Sequence, residues 1–525
     1  MKLGKAATSV SFCIFLSRIF GLIRDQLFAA LLGAGLFADA FVVAFRIPNL
    51  LRDLFAEGAL SSAFVPTFTE YEVKKSKQEA WALANLVIGV LLVVVGTITL
   101  LGMIFTPAVV SIIAPGFEAI PGKQGLTVLL TRIMFPFLPI IAVSALFMGM
   151  LNVQGSFALP AFASVLFNIV SIGFGLALWG FGAEGNIAVV GWSIGTLCGG
   201  FAQGAIQIPR LVRLGWRFRL SFARWKESAG LRQIGCLMLP ALIGLSATQI
   251  NILVNTILAS LLEQGSPSWL NYAFRLMQLP IGLFGVGISI VTLPIVSRDA
   301  ALNSTDSFQK NLTSSLHLVL LLTIPCAVGL WVLGVPIIRL IFERGAFTPH
   351  DTYATASALA CYSIGLPAYA AVKILAPAYY ALKNARIPMI ASILAVLANL
   401  AFNLAVYRIW RHQGLAVGTS IAAFTNLAVL GIGFQVRHVG LPLLKMATHV
   451  GKILLATALM ALTAYHSHQW LQDAATGLWG RLIDTLLPIS FSAFIYFLTL
   501  SMLKVPELDS VIKMVRRFGE RMVSK

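Results

Sequence analysis

The sequence predicts an all-α polytopic membrane protein of about fourteen transmembrane helices, built as two six-helix bundles followed by two C-terminal helices. Three observations carry this reading: an apolar composition, alternation of apolar runs with basic loops, and an internal repeat. Of 525 residues, 58% are hydrophobic and 11% are charged. A soluble chain of this length would carry about 25% charged residues. So apolar a chain cannot hide its side chains in one soluble core, and the bilayer must be its solvent.

The first two runs long enough to cross a ~30 Å hydrocarbon layer are 8–32 and 37–63. They are the least apolar of the set. The opening Met-Lys followed by an apolar run resembles a signal peptide. Arg18, Arg24 and Asp25 interrupt that run, so it reads as a retained first helix. Four apolar runs follow at 81–113, 126–152, 157–179 and 186–209, closing a bundle over 1–210. A basic stretch, 211–230, interleaves Arg213, Arg217, Arg219, Arg224 and Lys226 with Trp216, Phe218, Phe222 and Trp225. It reads as an amphipathic cytoplasmic linker lying on anionic membrane lipids.

The second bundle, 231–440, holds runs at 231–260, 268–297, 312–341, 353–381, 387–409 and 414–436. Two further spans, 446–466 and 482–503, fill 441–505, and a basic tail occupies 506–525. With the N-terminus in the cytoplasm, cytoplasmic segments hold about 23 Lys and Arg and periplasmic ones about six, as the positive-inside rule requires. The even count puts both termini inside. The net charge of +18 is thereby explained by topology, and nucleic-acid binding is excluded as its cause.

The two halves echo one another at an offset near 228 residues. Ala44-Phe45-Arg46 recurs as Ala273-Phe274-Arg275, Pro66 as Pro294, Pro160 as Pro388 and Gly116 as Gly345. Six spans per repeat insert both halves with one orientation, related by an axis along the membrane normal. That is a transporter design, with a substrate path expected between the bundles near the midplane.

Ionisable groups inside spans are costly, about 2.5–3.5 kcal/mol each at a helix centre, so each needs a partner or water. The first two spans hold Arg18, Arg24, Asp25, Asp39, Arg46, Arg52, Asp53 and Glu57. Arg132, Arg275 and Lys373 lie in later spans. Arg18 and Asp25 share a helix face, and Asn49, Asp53 and Glu57 form a stripe beside Arg52. Pro48 interrupts the second span and frees backbone groups that need a polar setting. Two readings stand. These groups are structural ion pairs, or they line a hydrated cavity whose guanidinium forks bind phosphate. Arg275 and Lys373 have no acidic partner within their own spans, which favours anion binding.

Other signals carry no chemistry. Cys13, Cys198, Cys236, Cys326 and Cys361 are scattered through apolar stretches and suggest neither a disulfide framework nor a metal site. Gly282, Gly285 and Gly287 lack the strand and lysine of a phosphate loop and read as helix-packing glycines. His466 and His468 point to different faces of a helix, so no metal site is expected. No nucleophile–base constellation appears, and the chain reads as a transporter rather than an enzyme. No cofactor is expected; membrane potential or cations are the candidate energy sources, since each charge moved across 100 mV is worth about 2.3 kcal/mol.

Ser17-Arg18-Ile19-Phe20-Gly21-Leu22-Ile23-Arg24-Asp25 resembles the opening of the MurJ (MviN) lipid II flippases. So do Asp39-Ala40-Phe41, Pro48-Asn49-Leu50-Leu51-Arg52 and Phe55-Ala56-Glu57-Gly58-Ala59. Ala114-Pro115-Gly116-Phe117, Ser268-Trp269, Arg275-Leu276, Gly345-Ala346-Phe347-Thr348 and Lys373-Ile374-Leu375-Ala376-Pro377 extend the resemblance over nearly the whole chain. It implies the fold of the multidrug/oligosaccharidyl-lipid/polysaccharide flippase superfamily in a bacterial inner membrane. It implies movement of lipid II, an undecaprenyl diphosphate-linked disaccharide-pentapeptide, from the cytoplasmic to the periplasmic leaflet for cell-wall synthesis. It also implies a cationic cavity of Arg18, Arg24, Asp25, Asp39, Asn49, Arg52, Glu57, Ser268 and Arg275, and a groove for the lipid tail at the last two helices. Two positions depart from the family pattern: Asp53, where a basic residue is common, and Phe274, where an aspartate is common. The expected mechanism is alternating access by rocking bundles. A drug or polysaccharide-precursor exporter, and a scaffold for cell-wall synthesis proteins, are the alternatives.

Overall fold

A computed structural model describes residues 2–53, 60–219, 225, 227–437, 440–472 and 477–508. Its elements are helical. The first part of the chain forms α1 (Lys2–Leu32), α2 (Leu36–Arg52), α3 (Ser61–Lys74), α4 (Lys77–Ile104), α5 (Thr106–Ile113), α6 (Lys123–Met134), α7 (Phe137–Val153), α8 (Ala158–Gly180), α9 (Gly185–Ala205), α10 (Ile208–Arg213) and α11 (Ala229–Ser260). Then come α12 (Ser266–Pro280), α13 (Gly287–Ala301), α14 (Thr305–Val332), α15 (Gly334–Phe342), α16 (Pro349–Ala381), α17 (Arg386–Arg437), α18 (Leu443–Leu471) and α19 (Gly477–Met502). A π-helical turn over Ile281–Val286 joins α12 to α13.

Among the described residues, ten helical stretches are long and apolar enough to cross a membrane. One of them covers two expected spans. At 52 residues, α17 would run ~78 Å if straight, far more than the bilayer. It breaks at Arg411, where φ is 48° and ψ −135°, close to the expected gap between 409 and 414. The polar helices α1 and α2 fall outside the ten, in line with their charge content. Large apolar side chains such as Phe12, Leu100, Phe181, Ile290, Val291 and Leu455 are exposed, as lipid-facing residues are.

The chain packs as two compact units. The N-terminal unit comprises Met1–Ser268 with Arg344–Thr348. Its largest core joins Phe64, Phe68, Trp81, Leu138, Phe147 and Met150. Helix α11, expected to begin the second bundle, packs instead on α3, α4 and α5. Glycines permit that approach: a Cβ on Gly116 would sit 2.0 Å from the Ser260 carbonyl oxygen. The loop 344–348 docks on the end of α1 through the Ala346 N–H donating to Ala30 O at 2.8 Å. Gly345, at φ +57°, would drive a Cβ to 2.3 Å from that same carbonyl, so only glycine fits. The linker after α10 is non-helical through Arg219, and Trp216 is buried, donating to Asn85 Oδ1 at 3.0 Å. Residues 220–224 and 226 of this basic stretch lie outside the described residues.

The second unit comprises Trp269–Glu343 and Pro349–Lys525. Proline shapes it. A proline inside a helix strips the carbonyl four residues back of its N–H partner. Here neighbouring side chains replace the lost donor. Pro325 frees Leu321 O, which accepts from Tyr496 Oη at 2.6 Å. Pro377 frees Lys373 O, which accepts from Ser289 Oγ at 2.6 Å. Pro488 frees Asp484 O, which lies 3.3 Å from His468 Nδ1.

Tyr496→Phe leaves the Leu321 carbonyl buried without a donor and should cost about 1–3 kcal/mol in detergent melting experiments. The loss should shrink sharply in a Pro325→Ala background, where Leu321 regains a backbone partner, and a double-mutant cycle measures that coupling.

Candidate functional site

Asn168 of α8 donates to Ser17 O at 3.1 Å and ties the two helices together. Two turns on, the Arg24 guanidinium donates through Nε and Nη2 to a single Asp25 oxygen, at 3.3 and 3.0 Å. Its Cζ lies 5.4 Å from the centre of the Phe167 ring. Side-chain exposure is 15% for Arg24 and 13% for Asp25, so the pair is neither dry nor fully solvated. Asp25 thus serves its neighbour Arg24. Arg18 is exposed.

Helix α2 repeats this motif at its far end. Arg52 donates through Nε and Nη2 to one Asp53 oxygen, at 3.2 and 2.9 Å. Asp53, a departure from the family pattern, is therefore the immediate counter-charge of Arg52. Asn49 and Arg46 are half-buried on the same helix. Glu57 lies outside the described residues.

Asp39, near the start of α2, is fully buried. Its Oδ2 accepts from Lys123 Nζ at 2.8 Å and from the Gly265 N–H at 2.7 Å. Its Oδ1 accepts from Ser268 N–H at 3.0 Å and Ser268 Oγ at 2.6 Å. The carboxylate thereby caps the N-terminus of α12, whose free N–H groups and helix dipole favour an anion there. Lys123 is 1% exposed, and its ammonium sits 4.1 Å from the Phe117 ring centre. Asp39 and Ser268 were expected to face a headgroup. In this structure all their polar atoms are spent inward on a closed network, so they act as a latch. Asp39 and Ser268 stand 229 residues apart, at equivalent positions of the repeat.

In the second unit, Arg275 is half-buried on α12 and Lys373 is exposed on α16. Phe274, the other departure from the family pattern, stacks edge-on against Tyr362 at 5.5 Å and serves packing. On Trp269, Nε1 donates to Asp351 Oδ1 at 2.8 Å, while the ring meets His350 and His412 at 5.4 and 5.1 Å. An apolar groove of about 330 Å³ runs between α14, α16, α17 and α18, lined by Trp331, Ile364, Pro367, Phe424, Leu427 and Leu454. Its wall therefore includes α18 of the last two helices, together with three earlier ones.

The sequence reading counted Lys123 only as a loop charge. Its signal was faint: one lysine beside two glycines, in a segment that repeats near Asp351. What the structure offers chemically is cation without nucleophile. Arg24 and Arg52 are partly open, each beside its own carboxylate, and a guanidinium fork is suited to binding an oxyanion.

The comparisons with known proteins follow this chemistry. The sequence model of the family "Lipid II flippase MurJ" matches residues 28–480. A "Probable lipid II flippase MurJ" of Vibrio cholerae is 37% identical over 466 residues, 87% of this chain and 88% of that one. The solved structure "Lipid II flippase MurJ, inward closed conformation" superposes with a TM-score of 0.78 at 28% identity, over 94% of this chain and 99% of that one. An inward-facing multidrug resistance MATE transporter of the MOP superfamily shares the fold at TM-score 0.67 and 15% identity, over 86% of this chain and 99% of its own.

Removing one partner of a buried ion pair strands the other, at about 3–5 kcal/mol. Lys123→Met should destabilise the protein by that order in detergent melting. Lys123→Met combined with Asp39→Asn should lose less, because no bare charge is left, although the single amide oxygen can serve only one of the two sides that Gly265 and Ser268 now bond.

Proposed function

Because the chain belongs to the lipid II flippase MurJ family, we propose that it moves lipid II across the bacterial inner membrane for peptidoglycan synthesis. It is a multi-pass protein of that membrane and a transporter. The observation that carries the reading is the pairing of Arg24 with Asp25 and of Arg52 with Asp53, both only partly shielded. A lipid diphosphate presents several oxygens to such planar forks and binds them bidentately.

In this reading Arg18, Arg24 and Arg52 take the diphosphate, with Asn49 and Glu57 beside them. Asp25 and Asp53 are the groups displaced when it arrives. Arg275 and Lys373 are further phosphate ligands. Asp39 and Ser268 act through the latch. The prenyl chain follows apolar surface such as the groove walled by Trp331, Phe424 and Leu454. Transport proceeds by alternating access, from the cytoplasmic to the periplasmic leaflet, with both termini cytoplasmic. Membrane potential or a cation supplies the bias. The basic linker and tail meet anionic lipid headgroups, and cell-wall synthesis proteins are the expected neighbours.

The test is a headgroup-accessibility assay in cells whose own flippase is rapidly depleted. Wild-type protein should restore outer-leaflet lipid II. Arg24→Ala and Arg52→Ala should cut translocation at least tenfold at equal membrane abundance. Full translocation by either variant sinks that arginine's role. If cavity substitutions are silent while linker or tail deletions abolish function, the chain is a scaffold instead.

A further inference from the structure

We infer that His317, His449 and Glu507 form a binding site for a divalent first-row metal ion of the zinc class. His317 lies near the middle of α14, His449 near the start of α18, and Glu507 just beyond the end of α19. One donor atom from each lies within 4.8 Å of the other two. The two imidazole rings stack almost parallel, with centroids 4.0 Å apart and planes inclined by 13°. Side-chain exposure is 12% for His317, 8% for His449 and 12% for Glu507.

The hydrogen bonding singles out the metal. His317 Nδ1 lies 2.9 Å from Glu507 Oε1, and His449 Nδ1 lies 3.5 Å from Glu507 Oε2. Among the described residues, Nε2 of both histidines and Oε2 of Glu507 are buried without a hydrogen-bond partner. Three buried lone-pair donors in one place are costly, and each needs an account. Nδ1 of each ring faces the Glu507 carboxylate, so an ion held by all three residues would take Nδ1 of both histidines and a Glu507 oxygen. Two imidazoles and one carboxylate suit zinc and its neighbours, with water completing the shell. Tetrahedral ligands at ~2.1 Å stand ~3.4 Å apart, so the side chains must close inward by about an ångström. The nearby Lys452 ammonium is engaged by the Leu503 carbonyl at 3.0 Å.

The ion would staple the segment after α19 to α14 and α18. Those same elements share an apolar cluster of Leu321, Ile324, Ile453, Tyr496, Leu500 and Val505. The metal adds a polar clamp at the end of that cluster, just before the basic tail.

The experiment uses full-length protein in detergent, with any purification tag removed and metal stripped by chelator. Cobalt(II) is titrated and followed by its visible d–d absorption. Zinc is then added in competition, and bound metal is counted by elemental analysis. One ion per chain, displaced by zinc and accompanied by a higher melting temperature, is expected. His317→Gln, His449→Gln and Glu507→Gln should each weaken binding at least tenfold while melting as wild type does in chelator. Glu507→Gln, nearly isosteric, decides the matter if a histidine variant fails to fold. Absence of stoichiometric cobalt in the wild type, or binding unchanged in a folded variant, overturns the site.

Discussion

Hydrocarbon offers no water to a polar group, so each one held at membrane depth must find its partner inside the protein. That constraint organises this molecule at every scale. It explains why Tyr496, Ser289 and His468 stand opposite the carbonyls that Pro325, Pro377 and Pro488 strip of their donors. It explains why Asp39 is ringed by four donor contacts and why Lys123, its counter-ion, is shielded by an aromatic ring. It also explains why intramembrane arginines bring their own aspartates. The helix-breaking residues and the charges are thus one problem with one kind of solution.

The repeat acquires physical content in the same terms. Gly116 lies against the end of α11, and the loop at Gly345 lies against the end of α1. These are reciprocal contacts: the hairpin of each repeat docks on the first helix of the other. Asp39 and Ser268, at equivalent positions, then bond to each other. A duplicated sequence has diverged here into an acid and its donor. Two aspartates in those positions would repel, and two serines would give the buried Lys123 no counter-charge.

The helices and the repeat were legible from the sequence because they depend on local quantities: apolar run length, loop charge and spacing of Gly and Pro. The break of α17 near Arg411 was visible for the same reason. Partner choice was not. Asp25 and Arg18 share a helix face, yet a flexible arginine can curl back to its neighbour, so Asp25 serves Arg24. Trp216 sits among arginines and looks interfacial, but Asn85, 131 residues away, draws its indole inward. Lys123 reads as a loop charge until the fold places it on Asp39, 84 residues earlier. His317, His449 and Glu507 are likewise too far apart in the chain for any spacing rule to join them. Arg18, Arg24, Arg52 and Arg275 stood out because a charge in an apolar run is costly wherever it ends up.

The pairing of adjacent residues bears on reversibility. A flippase must release what it binds, and a ligand that binds two states equally shifts neither. A bare arginine in a low-dielectric site would hold a diphosphate in every conformation. An aspartate next in sequence is a competitor that never diffuses away. Side chains at i and i+1 do not face each other squarely on a helix, and each guanidinium reaches only one oxygen of its neighbour's carboxylate. In the proposed function, a bidentate phosphate displaces the carboxylate, and the carboxylate reclaims the guanidinium once the headgroup meets water. Asp53, which departs from the family's usual basic residue, extends this arrangement to the second arginine. Asp53 lowers the local charge at Arg52, and in the proposed function that moves the balance at this arginine from retention towards release.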